Sequence, residues 1–174
     1  MQSRIIISIL VLGILQCLLL LLIALTPTPE QFSAVAHSQF NGMMIGLDGA
    51  SRLAPIEDYA FYFYLVMLAQ ICAMVALGVV PKKRDPLFWL SLSGCFGLAA
   101  FVWWQMFSAY KSYLATGETT FVAGFPLATT WQVYAVWLAG LGLVALYVLG
   151  FKRYVWSDKD QQAFDALVES STSR

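Results

Sequence analysis

Charge is scarce in this chain of 174 residues: Asp, Glu, Lys and Arg make up 11% of it and cancel, ten basic against ten acidic. An ordinary soluble domain carries about 25%. With 60% of the residues apolar, so few charged groups cannot cover a core, which argues against a water-soluble enzyme domain. Zero net charge also removes the electrostatic case for nucleic acid as a partner. Histidine is scarcer still. His37 is the single one, so paired axial ligation of a haem within one chain is impossible, and a lone loop histidine is expected to be solvated or structural. The three cysteines, Cys17, Cys72 and Cys95, fall in apolar runs without C-x-x-C spacing and read as small buried hydrophobes. Nucleophile-elbow, Walker, metalloprotease and dinucleotide motifs do not occur. The expectation is therefore no catalytic residues, no metal and no cofactor.

What is present is four long uncharged intervals. They run from Arg4 to Glu30 with 25 residues between, from Asp58 to Lys82 with 23, from Asp85 to Lys111 with 25, and from Glu118 to Lys152 with 33. An ionised group at bilayer depth costs several kcal/mol, and about 20 apolar residues span the hydrocarbon as a helix. The expected fold is all-α and polytopic, with transmembrane helices over about 5–25, 59–80, 87–109 and 129–150 in a domain of residues 1–156. Gly124 and Pro126 make the first third of the fourth interval a loop or interfacial turn. Eight of the ten basic residues lie in the N-terminus, the Pro81–Pro86 loop and the C-terminal tail. Only Arg52 and Lys111 lie in the other two loops. The positive-inside bias then places both termini in the cytoplasm, N-in and C-in. Ala34-Val35-Ala36 has the form of a signal-peptidase site, but an apolar run from Ile5 to Leu25 is longer than a signal h-region and favours a retained helix.

The connections add detail. Thr28-Pro29-Glu30-Gln31 has the pattern of a helix start, predicting a short surface helix from about Pro29 to His37. Asn41-Gly42 and Asp48-Gly49 are turn signals around the apolar Met43–Leu47 piece of the exoplasmic segment 26–58, which is expected to pack on helix ends, lipid or a partner. Pro81–Pro86 is so short that the second and third helices must be an antiparallel pair. Ser157-Asp158-Lys159-Asp160 opens like a capped helix, and Phe164, Leu167 and Val168 give the tail 157–174 an amphipathic helix, expected to lie on the membrane with Tyr154 and Trp156 as anchors.

Each predicted span lacks ionisable residues and carries one glutamine: Gln16, Gln70, Gln105 and Gln132. Buried amides in lipid seek a partner, so these are candidate contacts between helices or to another chain. Ser93, Gly94 and Gly97 on the third helix, and Ala135, Ala139 and Gly140 on the fourth, permit close backbone approach. Aromatics crowd the exoplasmic ends: Tyr59 and Phe61–Tyr64 on helix two, Trp103, Trp104, Phe107, Tyr110 and Tyr113 on helix three, and Trp131, Tyr134 and Trp137 on helix four. An aromatic belt accounts for most of them. Four consecutive aromatics point all round a helix, however, so Tyr62 and Trp104 are candidate contacts to protein, lipid or quinone.

Phe121-Val122-Ala123-Gly124-Phe125-Pro126-Leu127-Ala128, followed by an apolar helix to Tyr147, resembles the small accessory subunits of bacterial sodium:solute symporters. There a Gly-Phe-Pro-Leu-Gly stretch leads from an exoplasmic loop into the last helix. The resemblance covers about thirty residues around Pro126, Ala128 stands where that family has glycine, and that family has two helices. It implies a non-catalytic accessory role. The reading that follows is a subunit of a larger membrane assembly in a bacterial inner membrane, with a larger integral membrane protein, a homo-oligomer or lipids as partners. The alternatives are a lipid- or quinone-binding protein with an aromatic exoplasmic groove, and a transport subunit acting only as an oligomer.

Overall fold

A computed structural model describes residues 2–27, 35–40, 42–45 and 53–172. Four of its helices are long and apolar enough to cross a membrane: α1 (Gln2–Leu25), α2 (Glu57–Gly78), α3 (Pro86–Thr116) and α4 (Leu127–Val155). A fifth, α5 (Asp158–Thr172), ends the described chain. Two compact parts are distinguished, one of Met1–Ile9 with Leu68–Arg174 and one of Leu10–Met67.

In the second part, β1 (Val35–Ala36) pairs antiparallel with β2 (Met44–Ile45). This corrects the helix expected over 29–37: its last described residues are extended, and the rest lies outside the described residues. The physical reason is the turn, in which Gly42 takes φ 91° and His37 Nδ1 accepts from the N–H groups of Gln39, at 3.1 Å, and Phe40, at 3.3 Å. His37 is thus a turn-stabilising group. The turn signal at Asp48-Gly49 lies outside the described residues.

Helix boundaries follow capping chemistry more than the end of the apolar run. Glu57 and Asp58 open α2, where the helix dipole favours acids. Asp85 caps α3, its carboxylate accepting from Phe88 N–H at 2.7 Å, with Pro86 in the first turn. α3 does not stop near residue 109. It continues to Thr116 and ends where Gly117 turns left-handed at φ 71° and donates its N–H to Tyr113 O. At 31 residues it is longer than about 30 Å of hydrocarbon requires, so Lys111 sits on helix rather than in a loop, its ammonium 4.8 Å from the Phe107 ring.

α4 begins at Leu127, behind a tight hairpin of β3 (Phe121–Val122) and β4 (Phe125–Pro126). Ala123 and Gly124, with φ of 49° and 84°, form its turn, and both left-handed values match the twist of a two-residue hairpin. Thr130 Oγ1 lies 3.0 to 3.2 Å from the carbonyls of Val122, Phe125 and Pro126, tying hairpin to helix. Two π-helical turns, Trp131–Ala135 and Phe151–Val155, interrupt α4.

In the first part, the core joins the last turns of α2 to the first turns of α3: Cys72, Ala76, Val79, Phe88 and Leu92 surround each other, with Tyr154 from α4. This is the antiparallel pairing expected of so short a connection. Phe88 is 1% exposed and meets the Tyr154 ring edge-on at 5.2 Å. α3 and α4 approach at Cys95 and Gly142, where a β-carbon on Gly142 would stand 3.2 Å from Cys95 Sγ; Ala99 on α3 and Ala139 on α4 are both buried. The expected small faces at Gly94, Gly97 and Gly140 are not this contact. Nothing lies within 4 Å of where their β-carbons would be.

Candidate functional site

Long-range polar contacts gather where the turn Pro81–Lys83, Arg84 and Asp85 meet the end of α4 and the start of α5. Each side chain arrives there for a local reason. Arg84 follows a 3-10 turn and folds back over the end of α2, donating Nε–H to Val79 O at 2.8 Å and Nη2–H, more weakly, to Leu77 O at 3.5 Å. It thereby satisfies carbonyls that the helix end leaves open. Its guanidinium is 7% exposed, and Nη1 has no hydrogen-bond partner. Lys83 donates to Val155 O at 3.1 Å and to Asp160 Oδ2 at 2.5 Å. Asp160 also accepts from Ser157 N–H and Oγ–H, at 2.8 and 2.6 Å, which is the helix start read from Ser157. Asp85 binds Arg153 and lies 3.4 Å from Tyr154 Oη.

Electrostatics follow from these contacts. The bond from Phe88 N–H, assisted by Arg153, holds the Asp85 carboxyl below the usual carboxylate range, against a smaller opposing effect of desolvation. Lys83 foremost, then Ser157, holds Asp160 lower as well. Among the six basic residues of 82–84, 152–153 and 159, carboxylates pair with Lys83, Arg153 and, at 3.6 Å, Lys152. Among the described residues, Lys82, Arg84 and Lys159 form no ion pair.

Two grooves flank Tyr154. One, of about 600 Å³, is walled by apolar residues of α2, α3 and α4, and the other, of about 350 Å³, runs between α3 and α4 to Arg153. Tyr154 is therefore not the surface anchor expected for the tail. The π turn over Phe151–Val155 and the absence of a side chain at Gly150 let its ring enter the core. Trp156 remains exposed, bonding Gln161 Oε1 through its indole N–H at 2.9 Å and packing on Phe164. In sequence the Lys82–Arg84 run is an orientation signal and a short turn. Nothing in it marked Arg84 as buried, and the π turn that buries Tyr154 has no sequence signature.

The residues singled out from sequence are dispersed. Gln16, Gln70 and Gln105 are half-buried and Gln132 is exposed, and among the described residues none of the four makes a side-chain hydrogen bond. Tyr62 and Trp104 are both more than half exposed. Trp104 lies beside Phe101, which in turn meets the Trp131 ring edge-on at 6.4 Å. Pro126 sits in β4 and precedes the first turn of α4. Among the described residues no group of three or more His, Cys, Asp or Glu is placed to hold a metal ion.

Fold and site together define a helical chain with four candidate membrane spans and a polar cluster at one end of its core. No family model, curated protein or solved structure matches this chain.

Proposed function

We propose that the chain is a non-catalytic accessory subunit that packs against a larger integral membrane protein, a transporter or energy-converting assembly of a bacterial inner membrane. The observation that carries the reading is the four glutamine amides on candidate spanning helices with no hydrogen bond among the described residues. In hydrocarbon an unmatched amide is unfavourable and finds an acceptor on a neighbouring helix, for about 0.6–2 kcal/mol. Two further features support it. Only Leu19 of α1 is buried, so this helix offers its apolar side chains to lipid or to another chain. α3 carries Leu90, Gly94, Gly97, Phe101 and Trp104 at helical spacing, all exposed, and open glycines let a second backbone come close. The likeness of Gly124-Phe125-Pro126-Leu127 to small symporter subunits favours a solute transporter as partner. The distribution of basic residues favours cytoplasmic termini.

The test is purification through a C-terminal tag in mild detergent. A stoichiometric membrane partner is expected, and it is weakened by Gly97→Leu and by Gln70→Leu while the chain stays folded. A single species with no second chain, from membranes where the protein is natively expressed, rejects the proposal.

A further inference from the structure

We infer that the β3–β4 hairpin is a lipid-binding wedge, inserted into the headgroup–acyl boundary of the bilayer at the start of α4, with phospholipid against both of its faces. The inference takes α4 as a membrane span and goes beyond the accessory role proposed above. Successive residues of a strand point to opposite sides, so the pair Val122 and Phe125 lies on one face and the pair Phe121 and Pro126 on the other. Phe121 is 68% exposed, and Val122 and Phe125 are exposed as well. A hairpin standing in water carries polar side chains on its outer face. This one has no polar side chain from Phe121 to Pro126, and the chain has no charge from Thr119 to Phe151.

Depth follows from the helix that the hairpin opens. About 20 helical residues cross the hydrocarbon, and counted back from Lys152 they reach Gln132. Thr130, two residues earlier, has its hydroxyl oxygen 3.0 to 3.2 Å from the carbonyls of Val122, Phe125 and Pro126, which holds the hairpin at that boundary. The same arrangement lowers the cost of leaving water, because the strands pair with each other, Pro126 has no N–H and a hydroxyl stands within reach of three carbonyls. Trp131, Tyr134 and the 77% exposed Trp137 follow on the first turns of α4, and aromatic side chains of this kind settle at membrane boundaries. Lipid is favoured over a protein partner by the two-sided exposure. A docked protein covers one face of so thin a ribbon and leaves the other in water, whereas the boundary region of a bilayer surrounds both.

The inference is tested on the full chain in vesicles of dioleoyl phosphatidylcholine, with no other protein present. In a chain whose Cys17, Cys72 and Cys95 are changed to Ala, a nitroxide is attached at Phe121→Cys, Val122→Cys, Glu118→Cys or Leu138→Cys. Its collisions with oxygen, which concentrates in lipid, and with a water-soluble nickel chelate are then compared. Both hairpin positions are expected to shift towards oxygen relative to Glu118→Cys, with Leu138→Cys shifted further. A water-like ratio at Phe121→Cys or Val122→Cys beside a hydrocarbon-like one at Leu138→Cys overturns the wedge and leaves the spanning reading of α4 standing. A water-like ratio at Leu138→Cys removes that reading and the wedge with it. If the cysteine-free chain proves unfolded by circular dichroism, the native chain is photolabelled in the same vesicles by a phosphatidylcholine carrying a diazirine near its glycerol. Adducts are expected within residues 119–126, and their absence there while α4 is labelled rejects the wedge.

Discussion

Gly150 and Tyr154 stand one helical turn apart, and a β-carbon on Gly150 would lie 2.6 Å from Tyr154 Cδ2. The tyrosine ring occupies the space that glycine leaves, which is how a residue at the end of a spanning helix reaches the core beside Phe88. Gly150→Ala is expected to displace the ring and lower the unfolding free energy by about 2 kcal/mol. Gly142→Ala, facing the deformable Cys95 thiol at 3.2 Å, should cost less than about 1 kcal/mol. Thermal melts in one detergent, followed by circular dichroism, compare the two variants. Equal effects would falsify the packing account of Tyr154.

Asp85 performs two tasks that substitution separates. Asn keeps a capping oxygen for Phe88 N–H but loses the charge that meets Arg153, whereas Ala loses both. Asp85→Ala is therefore expected to lower the melting temperature by roughly a few degrees and Asp85→Asn by less. Equal losses for Asn and Ala would show that the ion pair, not the cap, dominates.

Acid exposes the same groups. Asp85 and Asp160 both titrate below the usual carboxylate value of about 3.9, so each binds fewer protons folded than unfolded. The stability they contribute is complete above that value and is lost as pH falls through the depressed folded values. Melting temperatures measured from pH 7 to 3 should decline on the acid side, below about pH 4. Asp85→Asn combined with Asp160→Asn should flatten that decline.

Ala123 holds φ 49° in the hairpin turn, a conformation an L-residue adopts at a cost of about 1–2 kcal/mol, offset in part by the unfolded-state entropy that glycine adds. Ala123→Gly should raise stability by about 0.5 kcal/mol, and Gly124→Ala should lower it. Chemical denaturation of the two variants measures both signs.

Asp160→Asn should loosen α5, because its carboxylate joins Lys83 to the capping hydrogen bonds of Ser157. Limited proteolysis after Trp156 is expected to accelerate, by up to about fivefold given how little an exposed ion pair contributes. An unchanged rate would show that the Trp156–Phe164 contact alone seats the helix.

Much of this was legible residue by residue. The uncharged interval from Asp58 to Lys82 covers all of α2 except its two opening acids, Glu57 and Asp58, and Ser157 with Asp160 marks the start of α5. Gly124 and Pro126 announce the hairpin only as a turn. Its strands are two residues each and have no periodicity to read. The end of α3 was missed because Gly117, not the last apolar residue, decides where the helix stops. The glycines of the expected small-residue faces, Gly94, Gly97 and Gly140, have nothing within 4 Å of where their β-carbons would stand. Gly142, which lines the α3–α4 contact, looks in sequence no different from Gly140, which faces open space.

The amino-acid sequence by itself determined how many helices are long and apolar enough to cross a membrane and roughly where they lie, because the cost of charge in hydrocarbon and the reach of a helix depend on composition and length alone. Only the tertiary structure decided that Tyr154 belongs to the core and that, among the described residues, Arg84 is buried without a counter-charge and the glutamines have no hydrogen-bond partner. Those facts depend on which side of a helix a residue faces after a π turn or a fold-back. That direction is set by packing against other segments and is not encoded by neighbours in the chain.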